Sequence, residues 1–130
     1  MAAHGHFHWN ELLTRDFDRA KAFYEAVIGW RFEAMPMPEG GPYWVAYQGD
    51  VPVAGMMDIS DLRWSGVPAN WFAYLAVDDV DARLAEAERH GATVHRRPFD
   101  VPGVGRIAIL EQPDGAAIGW MTPAETNAPA

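Results

Sequence analysis

The sequence predicts an α+β fold made of two tandem βαβββ modules. Three observations predict it. Two amphipathic helical stretches each have capping candidates at the start, Thr14 or Asp16 and Asp78 or Asp79, and a Gly at the end. Short aromatic and β-branched runs flank them, separated by Gly- and Pro-bearing turns. The whole pattern also occurs twice: Asp16-Phe17-Asp18 recurs as Asp79-Val80-Asp81 and Gly29 as Gly91, two intervals that agree to within one residue.

Residues 7–14 read as a strand, because their aromatic and branched residues lack helical spacing. From Asp16 to Ile28, Ala20, Phe23, Tyr24, Val27 and Ile28 recur at three- and four-residue steps, which predicts an amphipathic helix. Trp30 to Glu33, Tyr43 to Tyr47 and Val51 to Ile59 read as three strands. The first two are joined by the loop Pro36 to Pro42, read by default as a solvated connector and alternatively as a rim or lid, and the last two by a Gly49-Asp50 hairpin turn. Ser60 to Asn70 reads as an internal linker.

The second module follows the same order. Trp71 to Val77 is a strand, Asp79 to His90 a helix, and Thr93 to Arg96, Gly105 to Leu110 and Ala116 to Met121 are strands, the last preceded by the turn Pro113-Asp114-Gly115. The modules are expected at about residues 6–59 and 71–121 of one domain spanning 1–122, with 123–130 a disordered tail.

Composition excludes several classes of function. There is no Cys among the 130 residues, so disulfides, thiolate metal sites and thiol catalysis are ruled out. Ten Lys and Arg against eighteen Asp and Glu give a net charge of -8, which repels phosphate backbones and anionic lipid; no nucleic-acid or membrane partner is expected. No apolar run approaches the roughly 20 residues of a membrane span, and a soluble, cytoplasmic protein is expected.

The motifs Asp16-(x6)-Phe23-Tyr24-(x4)-Gly29-Trp30, Val77-Asp78-Asp79-Val80-Asp81 leading to Gly91, and Gln112-Pro113-Asp114-Gly115 resemble those of the vicinal oxygen chelate superfamily. That superfamily includes glyoxalase I, bleomycin-resistance proteins, methylmalonyl-CoA epimerase and extradiol dioxygenases. The resemblance covers roughly residues 5–122. It implies strongly curved sheets around a shared cavity, each with its helix on the convex side, and, in metal-using members, a ligand on the first and last strand of each half.

Carried over on these motifs, the ligand positions fall on Trp9, Phe72, Gly119 and the window Gly55 to Met57. None of these supplies a carboxylate or imidazole, whereas a divalent ion takes N or O donors at about 2.0 to 2.6 Å. The resemblance thus implies a subgroup without the metal ligands, and no metal or other cofactor is expected.

Strand alternation from Trp9 turns Glu11 and Leu13 to the cavity side and His8, Asn10 and Leu12 to the helix. Burial disfavours an ionised carboxylate, which suits Glu11 to general acid or base work; the alternative is a structural partnership with Arg31, Arg106 or a backbone group. Trp9, Trp44, Met57, Phe72 and Tyr74 are expected to line the cavity, Tyr74 offering a hydroxyl, whereas Phe23, Tyr24, Trp30, Phe32 and Trp120 fill the helix–sheet core. His4, His6 and His8 alternate as on one strand face, but same-face residues stand about 6.5 to 7 Å apart, poorly placed to share an ion. Arg106 reads as structural or surface.

Two functions follow. The first is metal-independent binding of a small, partly apolar or planar ligand in an aromatic cavity. The alternative is a metal-free enzyme in which Glu11, with Tyr74, moves a proton on a carbonyl substrate in lyase or isomerase chemistry; a metal-dependent glyoxalase or dioxygenase fits the residues least. Exposed strand edges also predict a homodimer.

Overall fold

A computed structural model of the chain describes residues 4–36, 43–61 and 64–124. The elements run β1 (Phe7–Thr14), α1 (Phe17–Val27), β2 (Arg31–Met35), β3 (Tyr43–Gln48), β4 (Val51–Asp58), β5 (Asn70–Ala76), α2 (Val80–Arg89), β6 (Thr93–Val101), β7 (Gly105–Glu111) and β8 (Ala117–Pro123). The βαβββ order predicted from the sequence occurs twice.

Both helices start and stop for the predicted reasons. The Asp16 side chain accepts a hydrogen bond from the Arg19 backbone N–H at 3.1 Å, and Asp79 accepts one from Ala82 at 3.2 Å. Gly29 (φ 88°) and Gly91 (φ 98°) adopt the left-handed conformation that ends each helix. Two boundaries extend beyond expectation. β6 runs past Arg96 to Val101, paired along β7 as far as Val101–Gly105. β8 runs to Pro123 and the Ala124 N–H donates to Val104 O at 2.9 Å, so residues 123 and 124 are ordered by pairing rather than part of a loose tail. Residues 125–130 and the loop 37–42 lie outside the described residues.

The chain divides into two compact units. One is Trp9–Phe72. Within it β1 and β4 are parallel, with Glu11 opposite Gly55 and Leu13 opposite Met57, and β3 lies antiparallel to β4 and to β2. Leu12, Trp44, Ala46, Ala54 and Met56 share one face by register. α1 covers that face through Phe17, whose ring stacks on Trp44 at 4.5 Å and meets Phe32 edge-on at 6.0 Å. Beyond it Tyr24 stacks on Trp30 at 4.6 Å, and Trp71 packs edge-on against both.

Tyr24, Trp30 and Phe32 therefore do fill the helix side, but Phe23, assigned to the same layer from the sequence, is mostly exposed. The neighbouring Tyr24 takes the inward position, and Phe23 only touches its edge, at 5.1 Å.

The other unit is the remainder of the chain. β5 and β8 are parallel there, and β7 is antiparallel to both β8 and β6. Val77, Val80, Leu84, Ala108 and Leu110 form its buried core, with Leu75, Ile118 and Trp120 packed against them. Alternation puts Tyr74 and Gly119, paired with each other, on the opposite face of the sheet from α2.

The three N-terminal imidazoles do not share a strand face. His4 and Gly5 form a turn, β1 begins only at Phe7, and His4 Nδ1 accepts from the Asp78 backbone N–H at 3.0 Å.

Candidate functional site

The residue pattern centres on Glu11, and the structure gives it a partner the sequence did not suggest. Glu11 is only 6% exposed, although it lies in mid-strand with Leu12 and Leu13. The Tyr43 hydroxyl donates to Glu11 Oε2 at 2.8 Å, and Trp9 Nε1–H donates to the same hydroxyl oxygen at 3.0 Å. The indole can only donate and the Tyr43 hydroxyl passes its own hydrogen on to the carboxyl group, so the relay runs from Trp9 to Tyr43 to Glu11.

The room for this relay comes from Gly55. A Cβ built on Gly55 would lie 1.5 Å from the Tyr43 hydroxyl oxygen and 2.3 Å from its ring carbon Cζ, so the phenol occupies the volume in which a side chain at position 55 would begin. The strand pairing brings the parts together: Gly55 stands opposite both Glu11 and Val45, and Tyr43 is two residues before Val45 on the same face. Burial and the adjacent Glu11 carboxylate push the Tyr43 phenol well above its ordinary range, which keeps it a neutral donor.

Neither arginine weighed as a Glu11 partner fills that role. Arg31 pairs with Glu33 on its own strand. Arg106 grips Asp81 of α2 at 2.7 and 3.1 Å and approaches Asp100 at 3.3 Å, the structural role expected of it.

The remaining predicted residues separate. Met57, opposite Leu13, is on the Glu11 face. Trp44 is not: it pairs with Met56 on the α1 side and stacks on Phe17, while Tyr43 takes the place beside Glu11 that had been expected for Trp44. A register shift at Ala46/Tyr47 adds a residue to β4 and reverses the face obtained by counting back from the hairpin turn. Phe72 is buried at the end of the first unit, and Tyr74 is buried in the second, opposite Gly119. Tyr43 itself was missed, although a Tyr-Trp pair entering a strand signals that one aromatic ring must face each way.

Two hollows open on the Trp9–Phe72 unit. One, about 380 Å³, is lined by Arg15 and by 60–61 and 65–68; Arg15 donates to the Val67 and Trp64 carbonyls at 2.6 and 2.7 Å. The other, about 270 Å³, lies where β1 and β4 end, bounded by Phe17, Trp44, Met56 and Met57 with Asp16, Asp18 and Asp58. Trp44 and Met57 thus both border this hollow at the strand ends, from opposite faces of the sheet.

The positions onto which the resemblance carries the ligands hold no carboxylate or imidazole: Trp9 donates to Tyr43, the window Gly55 to Met57 offers two thioethers and a glycine whose side-chain space holds a phenol, and Phe72 and Gly119 carry no donor side chain. Among the described residues no group of three or more His, Asp or Glu side chains is placed to hold an ion.

Comparison with known proteins decides the family. Residues 5–119 match the model of the Glyoxalase/Bleomycin resistance protein/Dioxygenase superfamily. The chain belongs to this superfamily. Within it, the chain is 45% identical over 116 residues to "Putative glyoxylase CFP32" of Mycobacterium tuberculosis, covering 89% of this chain and 43% of that protein. It is 31% identical over 120 residues to the anthracycline biosynthesis protein DnrV of Streptomyces peucetius, covering 84% of this chain and 44% of that one. The chain therefore spans less than half the length of the curated superfamily relatives it matches.

Solved superfamily folds match closely in shape. Methylmalonyl-CoA epimerase from Mycobacterium tuberculosis superposes with a TM-score of 0.67 at 15% identity, over 96% of this chain and 94% of that one. The Streptomyces coelicolor epimerase superposes with 0.68 at 16% identity, over 95% and 100%. At these identities the likeness is one of fold. Among the described residues no helix is long and apolar enough to cross a membrane.

Proposed function

We propose that the chain is a metal-independent binding protein for a small, partly apolar or planar ligand, received on the sheet face that carries Trp9, Glu11 and Tyr43. The observation that carries this reading is the phenol seated over Gly55. Within the window Gly55 to Met57, where the resemblance would place a ligating side chain, the space over Gly55 holds an aromatic ring whose hydroxyl donates to a buried carboxylate. Such a face offers stacking surface and fixed hydrogen-bond direction, the combination that orients a planar molecule. The 31% identity to an anthracycline biosynthesis protein supports a polycyclic, ketone- and hydroxyl-bearing ligand class.

The test is a titration of intrinsic tryptophan fluorescence with an anthracycline, repeated with Trp9→Phe and in the presence of a chelator. Saturable quenching that survives the chelator and is weakened in Trp9→Phe is the expected result. Absence of saturable binding, or binding that a chelator abolishes and a divalent ion restores, rejects the reading.

A second reading has its own support: a carboxylate only 6% exposed, with a neutral phenol held against it, is equipped to accept a proton from carbon next to a carbonyl. Glu11 would be the base and Tyr43 would hold it in place. Loss of solvent deuterium incorporation into a bound ketone on Glu11→Gln, with binding retained, would favour this enzyme over the binding protein.

A further inference from the structure

Among the described residues, Arg96 is the one arginine whose guanidinium meets neither a carboxylate nor a carbonyl. Arg15 donates to the Val67 and Trp64 carbonyls, and each of the others pairs with an Asp or Glu. Arg96 instead lies over the Phe99 ring, 3.6 Å from its centroid. Carboxylates are not scarce, since the chain has eighteen Asp and Glu against ten Lys and Arg. A guanidinium stacked on a ring has its plane fixed, and its N–H donors keep the fork geometry that matches a carboxylate.

Its place on the sheet gives it apolar neighbours. On β6, the outermost strand, Arg96 stands opposite Ile109 and Phe99 opposite Ile107. Ile109 in turn pairs with Gly119, and Gly119 with Tyr74, so this is the face turned away from α2. Arg96 is exposed, whereas Phe99 and Ile109 are half-buried. The free donors therefore sit at the rim of an apolar surface, the layout that takes a charged head and an apolar body together.

The repeat supplies an internal comparison. In the first module Arg31 lies over the Tyr47 ring, 4.4 Å from its centroid. Arg31 and Glu33 of β2 share the sheet face of Glu11, since Glu33 stands opposite Val45 and Val45 opposite Gly55. Glu33, two residues along the strand, pairs with Arg31. The residue two along from Arg96 is Pro98, which carries no charge. The same cation-on-ring arrangement is closed by the chain's own carboxylate in one module and left open in the other.

We propose that Arg96, Phe99 and Ile109 form a binding site for an aromatic monocarboxylic acid, its carboxylate on the guanidinium fork and its body on the apolar surface beside it. One guanidinium neutralises one carboxylate, whereas a dianionic phosphate would bring uncompensated charge into the field of a chain of net charge -8. The site lies in the unit that does not contain Glu11, and it does not depend on what the Glu11 face binds.

The test is a heteronuclear NMR titration of the full chain with naphthalene-1-carboxylate, set against the uncharged naphthalene-1-carboxamide. The expected result is a saturable shift of the Arg96 Nε–H and Ile109 amide resonances with the acid. Binding should be about tenfold or more weaker for the carboxamide, and for the acid in Arg96→Gln. Arg96→Lys, which keeps the charge but not the fork, should fall between. Arg97→Gln, next in sequence but paired with Glu88, should leave the affinity unchanged, as should Arg31→Gln.

Arg96 is exposed, so an unchanged circular-dichroism melt of Arg96→Gln separates loss of binding from loss of folding. No saturable shift up to about 10 mM acid overturns the proposal. Equal affinity for acid and carboxamide does so too, as does an affinity that withstands Arg96→Gln. Displacement of the acid by an equal concentration of inorganic phosphate would overturn the ligand class.

Discussion

Tyr43 makes the strongest predictions at the scale of single residues. Tyr43→Phe keeps the ring but removes the donor from a buried carboxylate and the acceptor from Trp9 Nε1, and should cost about 1.5 to 3 kcal/mol in denaturant unfolding. Glu11→Gln keeps an acceptor for the phenol and should cost less. If it proves the more destabilising of the two, Glu11 is chiefly a structural charge. The raised Tyr43 ionisation also has a definite sign: the folded state holds the phenolic proton more tightly than the unfolded chain, so this contribution is intact below about pH 10 and is lost as pH rises beyond it. Tyrosinate absorbance should show one phenol ionising late, only as the protein unfolds, and Tyr43→Phe should abolish that step.

At the scale of elements, α2 and its ion pairs set the acid limit of stability. Arg83 beside Asp78, Arg106 beside Asp81 and Arg97 beside Glu88 hold those carboxyls below their ordinary range. Such groups release their protons more readily folded than unfolded, so their stabilisation is present above the ordinary carboxylate range and is lost as pH falls through it. The melting temperature should be level from neutral pH to about pH 5 and fall below about pH 4, and Arg106→Ala should shallow that fall. Because these groups are exposed, the effect of any one is small. Leu84, fully buried in the α2 core, is different: Leu84→Ala should cost about 2 to 5 kcal/mol.

The helices were legible in the sequence because their signals are local: an Asp that caps the first turn, a Gly that tolerates positive φ, and apolar residues at helical spacing. The burial of Glu11 and its side of the sheet were legible from alternation within one strand. Which face β3 presents was not, since it depends on an extra residue in β4 that leaves no compositional trace, and the error moved Trp44 to the site and hid Tyr43. The outward turn of Phe23 was equally hidden, because Phe23 and Tyr24 both fit the helical stripe and only packing chooses between them.

At the scale of the whole molecule, the sequence repeat reappears as geometry. Glu11 and Tyr74 each lie five residues before the capping Asp of their module, and each stands opposite a glycine, Gly55 or Gly119, on a parallel strand. The two residues singled out for chemistry are thus the same position of a doubled plan. Since the donor side chains a metal would need are absent from the expected places in both halves, a chelator should leave the melting temperature unchanged. Elemental analysis of untagged protein should find no stoichiometric transition metal; one ion per chain, lost on substitution at Glu11, would contradict this.

Gly55 also constrains how its surroundings can change. Any side chain at that position must displace a phenol whose oxygen lies 1.5 Å from its Cβ, so Gly55→Glu or Gly55→His should turn the Tyr43 ring away and break its hydrogen bond to Glu11. A change of Tyr43 to a small residue would free that space, at the loss of the same hydrogen bond to Glu11. The phenol and the glycine are therefore coupled: a side chain at position 55 and the ring of Tyr43 cannot both occupy the place the ring holds, so a change at either one is felt at Glu11.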